Sequence, residues 1–330
     1  MKTVLSGIRA TGRLHIGNLL GAVHQFVSQA EGVDRSMYFI ADFHTLTTYN
    51  SSSEELRGNI LEITKDYLAA GLDPEKSIIF AQSSVPAIPE LSLLISMRQP
   101  FGEVNQLPTI RDLRNKSAVE TLGLLTYPVL MAADMLGAQA TLVPVGKDQV
   151  PNVELAQQLA RRFNNRYGET FVVPKMLENM VRIPGLDGGK MGKSDSDNSV
   201  EINDPMDKIR ETYMKRGVTD DQRLKVTDSG DPVNRCKSIY PVHLVVTPGE
   251  FKDKEIEKKC KAGQIGCREC KAIMLDNLAA IIEPFQERRR KLNHQDDYVI
   301  DVLREGGRRA SVIYQETLEL VRDKLGILRF

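Results

Sequence analysis

The chain has 330 residues, with 44 lysines and arginines against 44 aspartates and glutamates. That length, with 41% hydrophobic and 27% charged residues, predicts about two domains around a full core. Zero net charge excludes a wholly electrostatic nucleic-acid binder but leaves room for one basic patch, and no apolar run approaches the roughly 20 residues of a membrane span.

The first residues, Met1 to Gly7, are too short and too interrupted for a signal peptide. The expected compartment is therefore the cytoplasm, where thiols stay reduced. Lys2 to Leu5, Met37 to Ala41, Ser77 to Ala81 and Thr141 to Val145 are short apolar or β-branched runs bounded by Gly, Asp, Ser or Pro, and they are predicted strands. Between them Leu19, Leu20, Val23, Phe26, Val27 and Ala30 share one helical face. Leu56, Ile60, Ile63, Tyr67 and Leu68 do the same after Ser51-Ser52-Ser53, with Glu54 and Glu55 in the first turn. A third helix is predicted from near Asp148, with Pro151 in its first turn and Gly168 past its end. Residues 86–125 read as a helical insertion and residues 175–203 as a long loop rich in Gly, Asp and Ser. The remainder is helical in pattern and closes on a helix from Asp296 to Leu325.

Strands alternating with helices imply an α/β fold, a Rossmann-like doubly wound parallel sheet. With it go a helical insertion and a mostly α-helical C-terminal domain. The predicted division is 1–200 and 201–330. Ligands on such sheets bind at the carboxyl ends of the strands. Here polar or glycine-bearing residues follow each strand: Ser6 to Arg9, Asp42-Phe43-His44, Gln82-Ser83-Ser84 and Gly146 to Gln149.

Two segments carry phosphate chemistry. Ser6 to Asn18 places Gly7, Gly12 and Gly17 at a strand-to-helix junction, where backbone can approach a ligand closely. Alone it is a glycine-rich turn that matches neither the dinucleotide fingerprint nor the P-loop. Lys190-Met191-Gly192-Lys193-Ser194 sets two lysines three apart among glycines. That suits a mobile phosphate clamp or, alone, a solvated basic loop. In this order the pair resembles the two signature sequences of class I aminoacyl-tRNA synthetases, HIGH and KMSKS. Gly123 to Pro128, Met131-Ala132-Ala133-Asp134 and Val145 to Gln149 extend the resemblance, over nearly the whole chain, to the bacterial tryptophanyl-tRNA synthetases.

The resemblance implies a tryptophan–tRNA ligase. L-Tryptophan and ATP give tryptophanyl-adenylate and pyrophosphate, and the tryptophanyl group then passes to tRNA(Trp). The amino acid supplies its own nucleophilic carboxylate, so positioning and charge stabilisation carry the first step. The resemblance implies that His15 and Asn18 contact the ATP phosphates, that Gly7 and Gly17 leave room for adenine and ribose, and that Lys190, Lys193 and Ser194 close over the pyrophosphate. Ile183 and Met191 would flank adenine, Asp148 would reach the ribose and Gln149 the amino acid, with Mg²⁺ arriving on ATP. Arg9 stands where many members have Gln, and Gly192 where the usual loop has Ser. Asp134 would accept the indole N–H, a group that only donates. Leu5, His44, Tyr127, Met131, Val143 and Val145 would wall the slot. The tyrosyl enzymes, the alternative within the class, also use an Asp here but typically carry Gln where this chain has Met131. A homodimer joined through the insertion is implied as well.

Cys236, Cys260, Cys267 and Cys270 are the only cysteines and lie within 35 residues, in the order C-x23-C-x6-C-x2-C. Gly263 and Gly266 let the backbone wrap around a centre, and four thiolates suit a [4Fe–4S] cluster or a structural Zn²⁺. The spacing resembles that of the few tryptophanyl-tRNA synthetases with a [4Fe–4S] cluster in this domain. Residues 251–291 carry 11 lysines and arginines against 7 aspartates and glutamates. The densest run, Arg288-Arg289-Arg290-Lys291, is either a patch for tRNA phosphates or a solvated helix face. By resemblance this domain recognises the anticodon.

Overall fold

The computed structural model describes residues 1–48, 50–114, 121–177, 183–192, 197–249 and 252–328. Strand β1 (Thr3–Ile8) leads into α1 (Ile16–Asn18), which continues through a π-helical stretch (Leu19–Val23) into α2 (His24–Ala30). Then come β2 (Arg35–Ile40), α3 (Asp42–Leu46), α4 (Ser53–Ala70) and β3 (Ser77–Ala81). A 3₁₀ turn (Gln82–Ser84) precedes α5 (Ala87–Ser96), α6 (Phe101–Asn105), α7 (Pro108–Arg114) and α8 (Leu122–Gly137). Strand β4 (Leu142–Pro144), a 3₁₀ turn (Lys147–Gln149), α9 (Val150–Tyr167) and β5 (Lys175–Leu177) complete the sheet. The rest of the chain forms α10 (Met206–Arg216), α11 (Ile239–Val246), α12 (Lys252–Lys261), α13 (Cys267–Leu292) and α14 (Asp296–Leu325).

All strand pairs are parallel, in the order β3-β2-β1-β4-β5. The chain leaves β1 in one direction for β2 and later returns to its other edge with β4, which opens a crevice at the carboxyl ends of those strands. Side chains alternate across the sheet. Val4, Tyr38, Ile40 and Ile79 enter a core shared with α4, α10, α11 and α13, whereas Leu5, Met37, Phe39 and Phe80 enter one shared with α5, α8, α9 and α14. Local chemistry sets the helix ends. In α4 the Ser52 hydroxyl accepts from Glu55 N at 3.1 Å, and the helix stops at Gly71 with φ 106°.

Among its described residues, the loop expected over 175–203 contains one strand, β5, which pairs Lys175 with Leu142 and Leu177 with Pro144. Three residues at a sheet edge give too short a run for a period-2 pattern. Helix α8 also crosses the expected insertion boundary at 125 without a break, so the insertion's last turn and Asp134 share one rigid rod.

The basic run on α13 divides. Arg289 is 4% exposed; its Nε donates to Asp66 Oδ1 at 2.8 Å and its Nη2 pairs with Glu62 on α4. Arg288 Nε donates to Ala69 O in the last turn of α4. Both tie α13 to α4, but only Arg289 is buried and withdrawn from the surface; Arg288, Arg290 and Lys291 are exposed.

Helix α14 runs along the sheet edge from one core to the other. Val302 lies in the first core and Ala310, Tyr314, Leu318 and Val321 in the second. The crossing is at Gly306, where an added Cβ would stand 1.8 Å from Ile79 O.

Candidate active site

At the carboxyl end of β1 the chain turns into α1, and His15 caps that helix. Its Nδ1 accepts from Asn18 N at 3.2 Å while Asn18 Oδ1 accepts from His15 N at 3.2 Å. This reciprocal box fixes the ring with Nδ1 unprotonated and satisfies the first backbone donors of the helix. Ile16 N donates to Val200 O at 2.9 Å, which binds the turn to the chain beyond the lysine-bearing loop. The loop itself rests on α1. A Cβ on Gly17 would stand 2.9 Å from His15 Nδ1 and 3.2 Å from Met191 Sδ, so glycine is what allows Met191 to lie there. Met191 and Ile183 are buried in the same core, while the Lys190 side chain is exposed. Lys193 and Ser194 lie outside the described residues.

Asn198 organises this loop, and the sequence gives no sign of it. Its Oδ1 accepts from Asp187 N at 2.9 Å and its Nδ2 donates to Lys190 O at 3.3 Å. A Cβ on Gly185 would fall 2.2 Å from Asn198 Oδ1. Gly7 has a packing reason of its own, because a Cβ there would meet the Phe39 ring at 2.7 Å.

Asp134 on α8 is 1% exposed. Gln82 Nε2 donates to its Oδ1 at 2.8 Å and to its Oδ2 at 2.9 Å, and His44 Nε2 lies 2.9 Å from Oδ2. Burial raises the Asp134 pKa, with Asp42 adding to the rise, while the bonds and charge from His44 and the bond from Gln82 oppose it. This donor set fits an ionised carboxylate. Gln82 is wholly buried and its Oε1 accepts from His44 N at 3.4 Å. Asp42, at the start of α3, takes Ser83 N at 3.0 Å and the Ser83 hydroxyl. Gln82 and Asp42 stand among the polar residues noticed after the strands. That a glutamine directly following five buried strand residues must itself be buried and paired was the signal for it.

Other expected site residues gather at the same end of the sheet. Tyr127 packs edge-on to His44, ring centroids 6.1 Å apart. Arg9 Nη2 donates to Thr48 Oγ1 at 2.5 Å, and its Nε is buried without a partner among the described residues. Burial lowers the Arg9 pKa and the Tyr127 side chain raises it. Met131 and Val145 are half-buried, whereas Leu5 and Val143 lie fully inside the core that α8 covers. Gln149 Nε2 donates to Asp148 Oδ2 at 3.2 Å, and its Oε1 accepts from Asn152 Nδ2 at 2.8 Å. Asn152, fully buried, accepts in turn from Thr109 Oγ1 at 3.0 Å, which braces this turn against the insertion.

The four cysteines are free thiols. Burial pushes the Cys270 thiol up to about 12, and Cys236, Cys260 and Cys267 add to the rise. Burial also raises Cys236 and Cys260, and Cys267 opposes the ionisation of both. Cys267 therefore sits close enough to the other three to disfavour their thiolates. Arg223 Nη1 donates to Cys260 Sγ at 3.6 Å, and His243 Nε2 lies 3.3 Å from Cys270 Sγ. The donor chemistry fits a metal centre. Among the described residues, however, no three His, Cys, Asp or Glu side chains stand in an arrangement that would hold a metal ion.

A parallel sheet whose first strand turns through a capped histidine into a helix, with a lysine-bearing loop resting on that helix, has the build of a class I nucleotide-dependent ligase. The comparisons agree. The family of tRNA synthetases class I (W and Y) matches residues 1–283, and the chain belongs to it. The tryptophan–tRNA ligase of Thermotoga maritima is 37% identical over 98% of this chain and 99% of its own. That of Deinococcus radiodurans is 37% identical over 100% of each. The crystal structure of tryptophanyl-tRNA synthetase from Campylobacter jejuni complexed with ADP and tryptophan aligns with a TM-score of 0.80 and 31% identity, over 98% of this chain and 99% of that one.

Proposed function

We propose that the chain is an aminoacyl-tRNA ligase that activates L-tryptophan with ATP and transfers the tryptophanyl group to tRNA(Trp). Asp134 carries the choice of amino acid. Its two oxygens take three bonds from Gln82 and His44, and a carboxylate offers about four acceptor sites, which leaves one for a further donor. The indole N–H, which can only donate, is the group we assign to it. Met131, one turn before Asp134, supplies apolar wall where a tyrosine site needs a polar group.

ATP enters as its Mg²⁺ complex. His15 and Asn18 hold its phosphates at the head of α1, and Met191 and Ile183 flank the adenine beside Gly7 and Gly17. Asp148 takes the ribose and Gln149 the amino-acid side. The unfilled Nε of Arg9 takes a substrate oxygen. The tryptophan carboxylate attacks the α-phosphorus, and pyrophosphate leaves under Lys190, Lys193 and Ser194, whose charge and donors stabilise the departing anion.

Cys236, Cys260, Cys267 and Cys270 are the residues we assign to a [4Fe–4S] cluster, with Zn²⁺ as the alternative. The support is their donor chemistry and their closeness, by which Cys267 opposes the ionisation of Cys236, Cys260 and Cys270. Such a centre supplies a rigid cross-link between α12, α13 and the loop before α11. Residues 201–330 then form the tRNA anticodon-binding region attached to a catalytic region over 1–200. Met97, Phe101 and Leu122 in the insertion region are 67%, 64% and 75% exposed, which supports a homodimer through that face. No described helix is long and apolar enough to cross a membrane, and we place the enzyme in the cytoplasm.

ATP–pyrophosphate exchange on anaerobically purified protein, with tryptophan and tyrosine side by side, tests the activity. Exchange with tryptophan alone is expected; exchange with tyrosine, or with neither, contradicts it. Metal analysis of the same sample expects about four irons per chain with matching sulfide. Zinc would support the alternative, and a metal-free active protein would remove both.

A further inference from the structure

Helix α14 touches the Asp134 site from behind, at two places. Tyr314 is fully buried, and its hydroxyl donates to the backbone oxygen of Asp134 at 2.7 Å. Gly137 makes room for the ring, since a Cβ there would stand 2.4 Å from Tyr314 Cδ1. One turn further on, Thr317 Oγ1 donates to Gly137 O at 2.9 Å.

These contacts fall where α8 most needs them. The helix ends at Gly137, so the carbonyls of residues 134–137 are its last four: Asp134 O keeps only a long bond from the cap residue, and the other three have no i+4 partner inside the helix. Met135 O takes Ala140 N at 3.0 Å and Leu136 O takes Gln139 N at 3.1 Å. Asp134 O has a long bond from Ala138 N at 3.3 Å, and its short bond comes from Tyr314. The same helix also braces the opposite wall. Ser311 Oγ donates to Ser84 O at 3.4 Å, and a Cβ on Gly307 would stand 2.5 Å from Ser84 Oγ. Ser84 closes the 3₁₀ turn that carries Gln82, the donor to both Asp134 oxygens.

We propose that Tyr314 is a positioning residue for tryptophan selectivity, fixing the end of α8 against α14 so that the Asp134 carboxylate meets Gln82, His44 and the substrate indole in register. The proposal rests on the reading of Asp134 as the indole acceptor. Burial, with the Asp134 charge beside it, keeps the phenol protonated, so it remains a donor across the working pH range. Through α14 the C-terminal end of the chain has a direct mechanical hold on the amino-acid pocket.

The test is Tyr314→Phe, which removes one hydroxyl and keeps the ring that fills the core. Pyrophosphate exchange is followed with tryptophan and with 3-(benzothiophen-3-yl)alanine, which keeps the indole shape but replaces N–H by sulfur. The expected result is a KM for tryptophan raised about three- to tenfold, the worth of one neutral hydrogen bond. The kcat stays within about twofold and the KM for the analogue does not change. An equal change for both amino acids, or a lowered Tm with unchanged discrimination, overturns the proposal. Asp134→Asn separates the two levels. If it loses selectivity for tryptophan over the analogue while Tyr314→Phe does not, the Asp134 reading stands and the Tyr314 proposal fails. If Asp134→Asn loses no selectivity, both fail.

Discussion

Asp134 and Lys190 serve the same proposed reaction and are held in opposite ways. The carboxylate is 1% exposed, with its oxygens bonded to Gln82 and His44 and its backbone oxygen to Tyr314. The lysine side chain is exposed, and only its backbone is organised, through Asn198. A group that must tell one amino acid from another is useful when it is rigid and dry before the substrate arrives, because a mismatch then strands a buried polar atom. A cation that must meet pyrophosphate as it leaves is better placed with its backbone held and its side chain in solvent.

The contrast places the largest loss at the rigid end. Asp134→Ala is expected to lower kcat/KM for tryptophan about 100-fold or more in pyrophosphate exchange, since it leaves Gln82 and His44 donors and the indole N–H unpaired. Near-normal kinetics would place the acceptor elsewhere. Lys190→Ala removes the charged donor that we assign to the departing pyrophosphate. It should cost about 10- to 100-fold in kcat with the KM for tryptophan unchanged; a change in KM alone would make Lys190 a ground-state contact. Asn198→Ala frees the Asp187 N–H and the Lys190 carbonyl but touches no substrate. A fall in kcat of about tenfold is expected, with the KM for tryptophan again unchanged.

The smallest effect is on pH dependence. The raised Asp134 pKa means that on acidification it takes up a proton earlier than an ordinary aspartate, whose value is about 3.9. Once protonated it is no longer an ionised acceptor. The kcat/KM for tryptophan should therefore fall as pH decreases, through a pKa above the ordinary aspartate range. Lys190→Ala should keep this acid limb and Asp134→Asn should lack it, and an identical limb in Asp134→Asn would assign the titration to another group.

The same contrast decides what could be read in the sequence. Glycines and lysines at the phosphate end announce themselves by composition, and strand Ser77–Ala81 and helix Asp296–Leu325 have the bounds their patterns predict. Strand β5 is three residues in a polar segment, paired only through β4, and its own residues carry no period. Asn198 was equally hidden, one polar residue in a stretch of Asp, Ser and Asn. The partners of Asp134 come from the 3₁₀ turn after β3, from α3 and from α14, up to 180 residues away. Each is an ordinary polar residue locally, and packing alone brings them together. Arg289 makes the same point in reverse. In a run of four cations it reads as surface, yet it is buried against Asp66 and Glu62, which only the α4–α13 contact reveals.

The most direct measurement follows the indole proton itself. Tryptophan labelled with ¹⁵N at the indole nitrogen is bound to the wild-type enzyme and to Asp134→Asn, and the indole N–H resonance is recorded. A charge-assisted bond to a buried carboxylate predicts a strong downfield proton shift and slow exchange with water in the wild type, both much reduced in the variant. An indole proton with the same shift and exchange rate in the two proteins would contradict the assignment of Asp134 as the residue that recognises tryptophan.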